Sequence, residues 1–267
     1  MRLRICLLEQ AAERSPSSVV PQLLERLRER DCTVDVWVPE CQAGDLQALV
    51  PDADLYLWKS HGRVCDSIAA YLNASGRALL NDYFATMQVR DKFVTARRLL
   101  DAGLPTPEAF FADSARQLAE AVDRYPIVLK SNGGRRGQEV ALARNVEELL
   151  ELDHISGPLC AQDYLPGSGL DLKAYVIGRQ VFAVWRPSPL AKNGAKERKA
   201  VQLSREVKDL CLRCGELFGL ELYGVDLLET PDGPYIIEVN CFPGYKGVPD
   251  ADRLLAAYIL ERARAAG

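Results

Sequence analysis

Near the C-terminal end of the chain, two apolar segments read as paired strands that finish in oxygen donors. The first is Tyr223-Gly224-Val225-Asp226; after a short turn the second is Tyr235-Ile236-Ile237-Glu238-Val239-Asn240. Side chains two apart on a strand share a face, so Glu238 and Asn240 project together, with Asp226 supplied by the partner strand. Carboxylates with an amide carbonyl suit a hard cation such as Mg²⁺, above all where phosphates complete its shell. The pattern points to nucleotide-dependent phosphoryl transfer. The competing reading is a solvated hairpin with chance acids, but an apolar strand pair seldom ends in three such donors.

Upstream, strands and helices alternate. Residues 3–8, 33–38 and 54–58 read as short buried strands, with a helix over Val19 to Arg30, another near 63–75 and a short strand at 78–80. That order predicts a small parallel α/β domain over 1–80. A second unit, 81–160, opens with a helix from Asp91 to Ala102, capped by Asp91 and stopped by Gly103 with Pro105 and Pro107 beyond. A strand (109–111), a helix (114–124) and a strand (126–130) follow. A third unit, 161–267, is strand-rich, with helices at 204–218 and 250–265. The expected class is mixed α/β, a parallel domain followed by two α+β subdomains.

Composition narrows the function. The 267 residues carry a formal net charge of -4, which offers no electrostatic footprint for nucleic acid. No apolar run is long enough to span a bilayer, and Met1 to Leu8 is too short for a signal-peptide core, so a cytoplasmic location without membrane partners is expected. The eight cysteines then read as reduced thiols. Cys211-x-x-Cys214 lies in a helical pattern without a second pair, which argues against a zinc site. With His61 and His154 the only histidines, His-dependent nucleophile chemistry has little support.

Lys130 closes the apolar strand Pro126-Ile127-Val128-Leu129 and opens the loop Ser131-Asn132-Gly133-Gly134-Arg135-Arg136-Gly137. Glycines such as Gly133 and Gly134 let backbone N–H groups approach phosphates, and the lysine adds a point charge. The loop lacks the Gly-Lys-Ser/Thr ending of a Walker A motif, and a strand follows where a Rossmann helix would start. Lys92 sits in the first turn of its helix, against the dipole, a placement that facing a phosphate would explain. Gln162-Asp163-Tyr164-Leu165 ends a strand whose edge can offer backbone groups to an adenine. Each of these has a plainer reading as a flexible hairpin, a solvated lysine or an ordinary strand exit.

In order, Lys92, Lys130 with its glycine loop, Gln162 to Leu165, Asp171-Leu172-Lys173, Asp226 and Glu238-x-Asn240 resemble the ATP-grasp superfamily over nearly the whole chain. The resemblance implies a fold of three subdomains that holds ATP between two α+β units. It implies that Lys92 and Lys130 contact phosphates and adenine, and that Asp163, Tyr164 and Leu165 line the adenine pocket beside Gln162. Asp171 would lie near the ribose, with Lys173 beside the nucleotide. Asp226, Glu238 and Asn240 would hold Mg²⁺, or Mn²⁺ in its place.

Two branches are similar to the chain. RimK-type carboxylate–amine ligases resemble it in size, in Asp171-Leu172-Lys173 (usually ending in Arg) and in Glu238-Val239-Asn240. Their basic loop before the final helix is replaced here by Arg186-Pro187-Ser188 and then Lys192 to Lys199. Inositol-trisphosphate kinases of the ATP-grasp type resemble it in Lys173 to Gly178, in Arg186-Pro187-Ser188, in Lys59 and in Asn240 to Val248. Their substrate histidine in the glycine loop is replaced by Gln138. The expectation is an ADP-forming ligase. A small-molecule kinase is the first alternative and a non-catalytic nucleotide-binding module the second. The acceptor is expected to be an anionic small molecule or peptide held between Lys59, Arg186 and the 192–199 loop with Arg198. Lys59 and Arg186 each close a strand, and Arg186 precedes a Pro-Ser-Pro break. Their plainer reading is two separate surface charges.

Overall fold

The computed structural model describes residues 2–11, 18–30, 32–45, 49–132, 140–155, 157–188, 190 and 199–266. The chain opens with β1 (Leu3–Glu9), α1 (Val20–Arg28), β2 (Cys32–Trp37), β3 (Leu55–Lys59), α2 (Arg63–Ala74) and β4 (Leu79–Leu80), a parallel sheet in the order β2-β1-β3-β4. Both faces of β1 are covered, which is why it reads as an unbroken apolar run. Ile5 and Leu7 pack with α1, while Cys6 and Leu8 pack on the other face with Trp58 and α2.

Two helices follow. α3 (Tyr83–Arg90) is capped by Asp82, which accepts from Ala85 N–H at 3.0 Å, and α4 (Lys92–Asp101) is capped by Asp91, which accepts from Val94 N–H at 3.0 Å. The sequence predicts α4 and its stop, where Gly103 adopts a φ of 62°. It does not mark α3.

The middle unit comprises β5 (Ala109–Ala112), α5 (Ala115–Ala121), β6 (Ile127–Ser131), β7 (Val140–Ala143), α6 (Val146–Glu151) and β8 (Leu159–Asp163). Its antiparallel sheet, ordered β5-β8-β6-β7, has a core of its own in which Leu118, Ile127, Leu129, Leu149 and Leu159 are buried.

The last unit comprises β9 (Leu170–Ile177), β10 (Gln180–Pro187), β11 (Lys199–Val201), α7 (Arg205–Phe218), β12 (Leu222–Thr230), β13 (Gly233–Cys241) and α8 (Ala251–Ala266). Its antiparallel sheet runs β11-β10-β9-β12-β13. One face packs with α7, α3 and α4 through Leu172, Val225, Cys211, Phe218, Val89 and Leu99. The other shares a core with the first sheet: Tyr175, Ile177 and Leu222 meet Ile5, Leu57, Leu255 and Ile259. Asn81 seals this seam by accepting from Leu222 N–H at 2.8 Å and donating to Leu222 O at 2.7 Å.

The link from α4 into the middle unit is stapled to β13. Ile236 N–H donates to Pro105 O at 2.7 Å and Thr106 Oγ1 donates to Ile236 O at 2.8 Å. Among the described residues no helix is long and apolar enough to cross a membrane.

Candidate active site

Strand register builds the first half of the site. In the β12–β13 hairpin Asp226 lies opposite Glu238 and Gly224 opposite Asn240, with the register shifting just after Asp226. On the other side of β12, β9 places Lys173 level with Asp226, and β10 places Arg186 level with Asp171. Partners in register share a face, so Lys173, Asp226 and Glu238 form a row across three strands. Gly224 makes room for that row. A Cβ there would come within 3.3 Å of Ala174 O and Pro243 Cγ and within 3.5 Å of Lys173 Cε.

Asp226 is the hub, with its side chain 7% exposed. Lys173 Nζ stands 2.6 Å from its Oδ1, Arg186 Nη2 stands 3.0 Å from its Oδ2, and Asn240 Nδ2 donates to Oδ2 across 3.4 Å. Burial alone would push the Asp226 pKa up. Lys173 and Arg186 outweigh it and hold the carboxyl below the usual range, so it stays ionised. Arg186 also reaches Asp171 at 3.6 Å. Burial raises the Asp171 pKa, and Arg186 opposes that rise.

The middle sheet supplies the facing half. Lys130, at the end of β6, is 8% exposed, and its Nζ donates to Gln162 Oε1 on β8 at 2.5 Å. Burial lowers its pKa, and Glu238 works against that shift. Lys92 N–H donates to Asn132 Oδ1 at 2.8 Å, tying the start of α4 to the end of β6. Lys92, Lys130, Cys160, Gln162 and Glu238 line one pocket, with Ala96 and Leu99 behind them. The nucleotide-side and metal-side candidates thus meet at Glu238.

Other candidates sit apart. The Asp163 carboxylate pairs with Arg124 Nε at 3.0 Å, and Tyr164 N–H donates to Pro126 O at 3.0 Å. Leu165 is half-buried just beyond β8. Lys59 donates to Phe242 O at 2.7 Å and Pro243 O at 3.2 Å, on the loop that follows Asn240. Gly133, Gly134 and Arg198 lie outside the described residues. Sequence reasoning did not foresee Cys160 in the pocket or Asn132 as a tether. The register of β8 on β6, which sets Cys160 beside Lys130, carries no local signal.

Among the described residues no three His, Cys, Asp or Glu side chains converge as a metal-ligating group. The donor set here is two carboxylates and a carboxamide. Its chemistry fits Mg²⁺, a cation that takes one or two protein carboxylates and leaves the rest of its shell to water and phosphate oxygens.

The buried Lys130 has a pH signature. A lysine whose folded pKa is depressed binds fewer protons folded than unfolded between its two pKa values, so stability rises with pH there. Buried Cys6, Cys65, Cys211 and Cys214, whose thiol pKa values burial raises, pull the other way over the alkaline range, so the climb is read as a difference. In denaturant unfolding without nucleotide, the stability of wild type relative to Lys130→Met is expected to rise with alkaline pH, and a pH-independent difference would refute the assignment.

Residues 89–261 match the RimK-like ATP-grasp domain family. A probable alpha-L-glutamate ligase of Legionella pneumophila (strain Corby) is 27% identical over 212 residues, 73% of this chain and 70% of that protein. Among solved structures, the RimK domain ATP-grasp protein of Sphaerobacter thermophilus DSM 20745 has a TM-score of 0.75 at 22% identity, over 96% of this chain and 98% of that one. The D-alanine--D-alanine ligase of Bacillus anthracis, complexed with ATP, has a TM-score of 0.74 at 16% identity, over 100% and 98% of the two chains.

Proposed function

The chain belongs to the RimK-like ATP-grasp family, and from that premise we propose that it joins a carboxylate to an amine at the expense of ATP, through an acyl phosphate. The observation that carries this reading is the pairing of Arg186 and Lys173 on Asp226, across from Lys130 and Lys92. That arrangement offers cations to an acceptor on one side and to phosphates on the other. The family resemblance of the probable alpha-L-glutamate ligases supports the same chemistry and makes glutamate the first amine to try.

In this scheme Lys92 and Lys130 bind the phosphates, and Gln162 with the strand exit to Leu165 flanks the adenine. Asp226, Glu238 and Asn240 would hold Mg²⁺ or Mn²⁺, which supplies charge neutralisation between the phosphate oxygens. Arg186 orients the acceptor carboxylate by bidentate donation and stabilises charge on the transferring phosphoryl group. The carboxylate oxygen takes that group and ADP leaves. The amine then attacks the acyl carbon, inorganic phosphate departs, and the amine loses a proton. The acceptor is an anionic small molecule or peptide.

The test is the product. Purified protein with Mg-ATP and pooled amino acids or pooled inositol phosphates is assayed for ADP release, with hydroxylamine present in a parallel arm. An acid-labile acyl phosphate, which hydroxylamine converts to a hydroxamate with release of phosphate, is the expected result. An acid-stable phosphate ester would identify a kinase instead. Such an outcome would give weight to the run Asn240-Cys241-Phe242-Pro243-Gly244-Tyr245, which resembles the inositol-phosphate kinase type.

A further inference from the structure

Asn240 is followed at once by a loop in which two residues with side chains hold left-handed backbone, Phe242 at φ 34° and Tyr245 at φ 48°. Such residues occupy that region only where the surroundings over-determine them. Part of the restraint comes from the third sheet. Phe242 N–H donates to Leu222 O at 2.7 Å, Tyr245 Oη donates to Val176 O at 2.8 Å, and the Tyr245 ring lies 5.5 Å from that of Tyr175. The carbonyls of the turn are held from elsewhere. Lys59, at the end of β3 in the first sheet, bonds Phe242 O and Pro243 O, with its ammonium 4.9 Å from the centroid of the Phe242 ring.

We propose that Lys59 is a positioning residue for Asn240, and through it for the metal. By fixing the peptide planes on either side of Pro243, it sets the direction in which the chain leaves β13 and so the aim of the Asn240 carboxamide, two residues before the first bonded carbonyl. The long 3.4 Å contact from Asn240 to Asp226 marks a side chain that its own partner steers weakly, which leaves the backbone to orient it. Lys59 lies on the face of β3 that carries Leu55 and Leu57, in the core shared by the first and third sheets. The ammonium therefore connects the parallel sheet to the strand that carries Glu238 and Asn240. This inference rests on the reading of Asn240 as a metal ligand.

The experiment measures Mn²⁺ affinity by the electron paramagnetic resonance of the free ion, in the presence of a non-hydrolysable ATP analogue. Wild type is compared with Lys59→Met, Lys59→Arg, Lys59→Gln and Asn240→Ala. Metal-free ADP affinity and the thermal midpoint are read in parallel. Lys59→Met is expected to weaken Mn²⁺ binding about 10-fold, the lower end of what outer-shell partners of a metal contribute, and to leave metal-free ADP binding within about two-fold. Lys59→Arg, which keeps donors for both carbonyls, is expected to restore most of the loss. Lys59→Gln, with a shorter donor, is expected to fall between and serves in place of Lys59→Met should that variant not fold. Equal losses of Mn²⁺ and ADP affinity alongside a lower midpoint would reduce Lys59 to a general structural role and overturn the proposal. Loss of Mn²⁺ in Asn240→Ala beside its retention in Lys59→Met would overturn this inference alone. Unchanged Mn²⁺ binding in Asn240→Ala would overturn the metal reading and this inference together.

Discussion

Asp226→Asn is expected to lower ATP turnover by about three orders of magnitude or more, the scale of losing a charged group at a phosphoryl-transfer centre. The carboxylate is the shared partner of Lys173 and Arg186 and the innermost donor of the candidate metal set. An amide keeps the shape but cannot neutralise two cations. Asp226→Ala is harsher, since breaking a buried pair by removing one partner costs about 3–5 kcal/mol. The two variants are separated by assaying turnover and urea unfolding side by side. Asparagine that turned over ATP as wild type does would refute the role. Acid adds a second signature. Because the folded pKa of Asp226 lies below its unfolded value, the stability it contributes is present above the unfolded carboxylate pKa and is lost as pH falls through the folded one. Asp226→Asn is expected to lose that acid limb.

Arg186→Ala is expected to cut kcat/KM for the acceptor by about 10²–10³-fold, the loss seen when one charge-stabilising donor is removed. ATP affinity is expected to change little. The guanidinium is suited to the task. Its Nη2 is engaged by Asp226 and Asp171, while its Nε is buried and finds no hydrogen-bond partner among the described residues. An unsatisfied donor at this depth is costly, and an anion drawn into the site would relieve it. Arg186→Lys keeps the charge but loses the fork, so it is expected to recover only part of the activity. A defect confined to ATP binding, read by nucleotide titration without acceptor, would move Arg186 to the nucleotide side.

Much of this was legible in the residues. Apolar runs carrying oxygen donors marked β12 and β13, although β12 does not finish at Asp226 as expected but runs on to Thr230, and an Asp cap with a Gly-Pro stop marked α4, because both signals are local. α3 escaped notice: its buried positions are Ala85, Thr86 and Val89, too small and mixed to stand out as an apolar face. α6 is a single capped run of six residues after Asn145, too short for a helical period to stand out. The contacts of Asp226 depend on the register of β9 against β12, which joins segments far apart in the chain and leaves no trace in either one. Lys59 shows the same limit. Its place at the end of β3 could be read, but the direction of its side chain depends on a turn whose left-handed residues, Phe242 and Tyr245, are not the glycine or asparagine that usually announce one.

The stapling of Pro105 and Thr106 onto Ile236 has a mechanical consequence. The middle sheet hangs from the rest of the molecule by two short runs of chain, 102–108 and 164–169, and keeps a core of its own. The first and third sheets, welded through α8, form the opposing jaw. One suspension point is bolted to β13 two residues before Glu238, so a swing of the middle sheet pivots close to the strand that carries the metal-side donors. A rotation about that pin would displace the far rim of the sheet more than the pocket that Lys130 and Glu238 line together. Such a hinge would be geared, coarse at the rim and fine where the phosphates would sit.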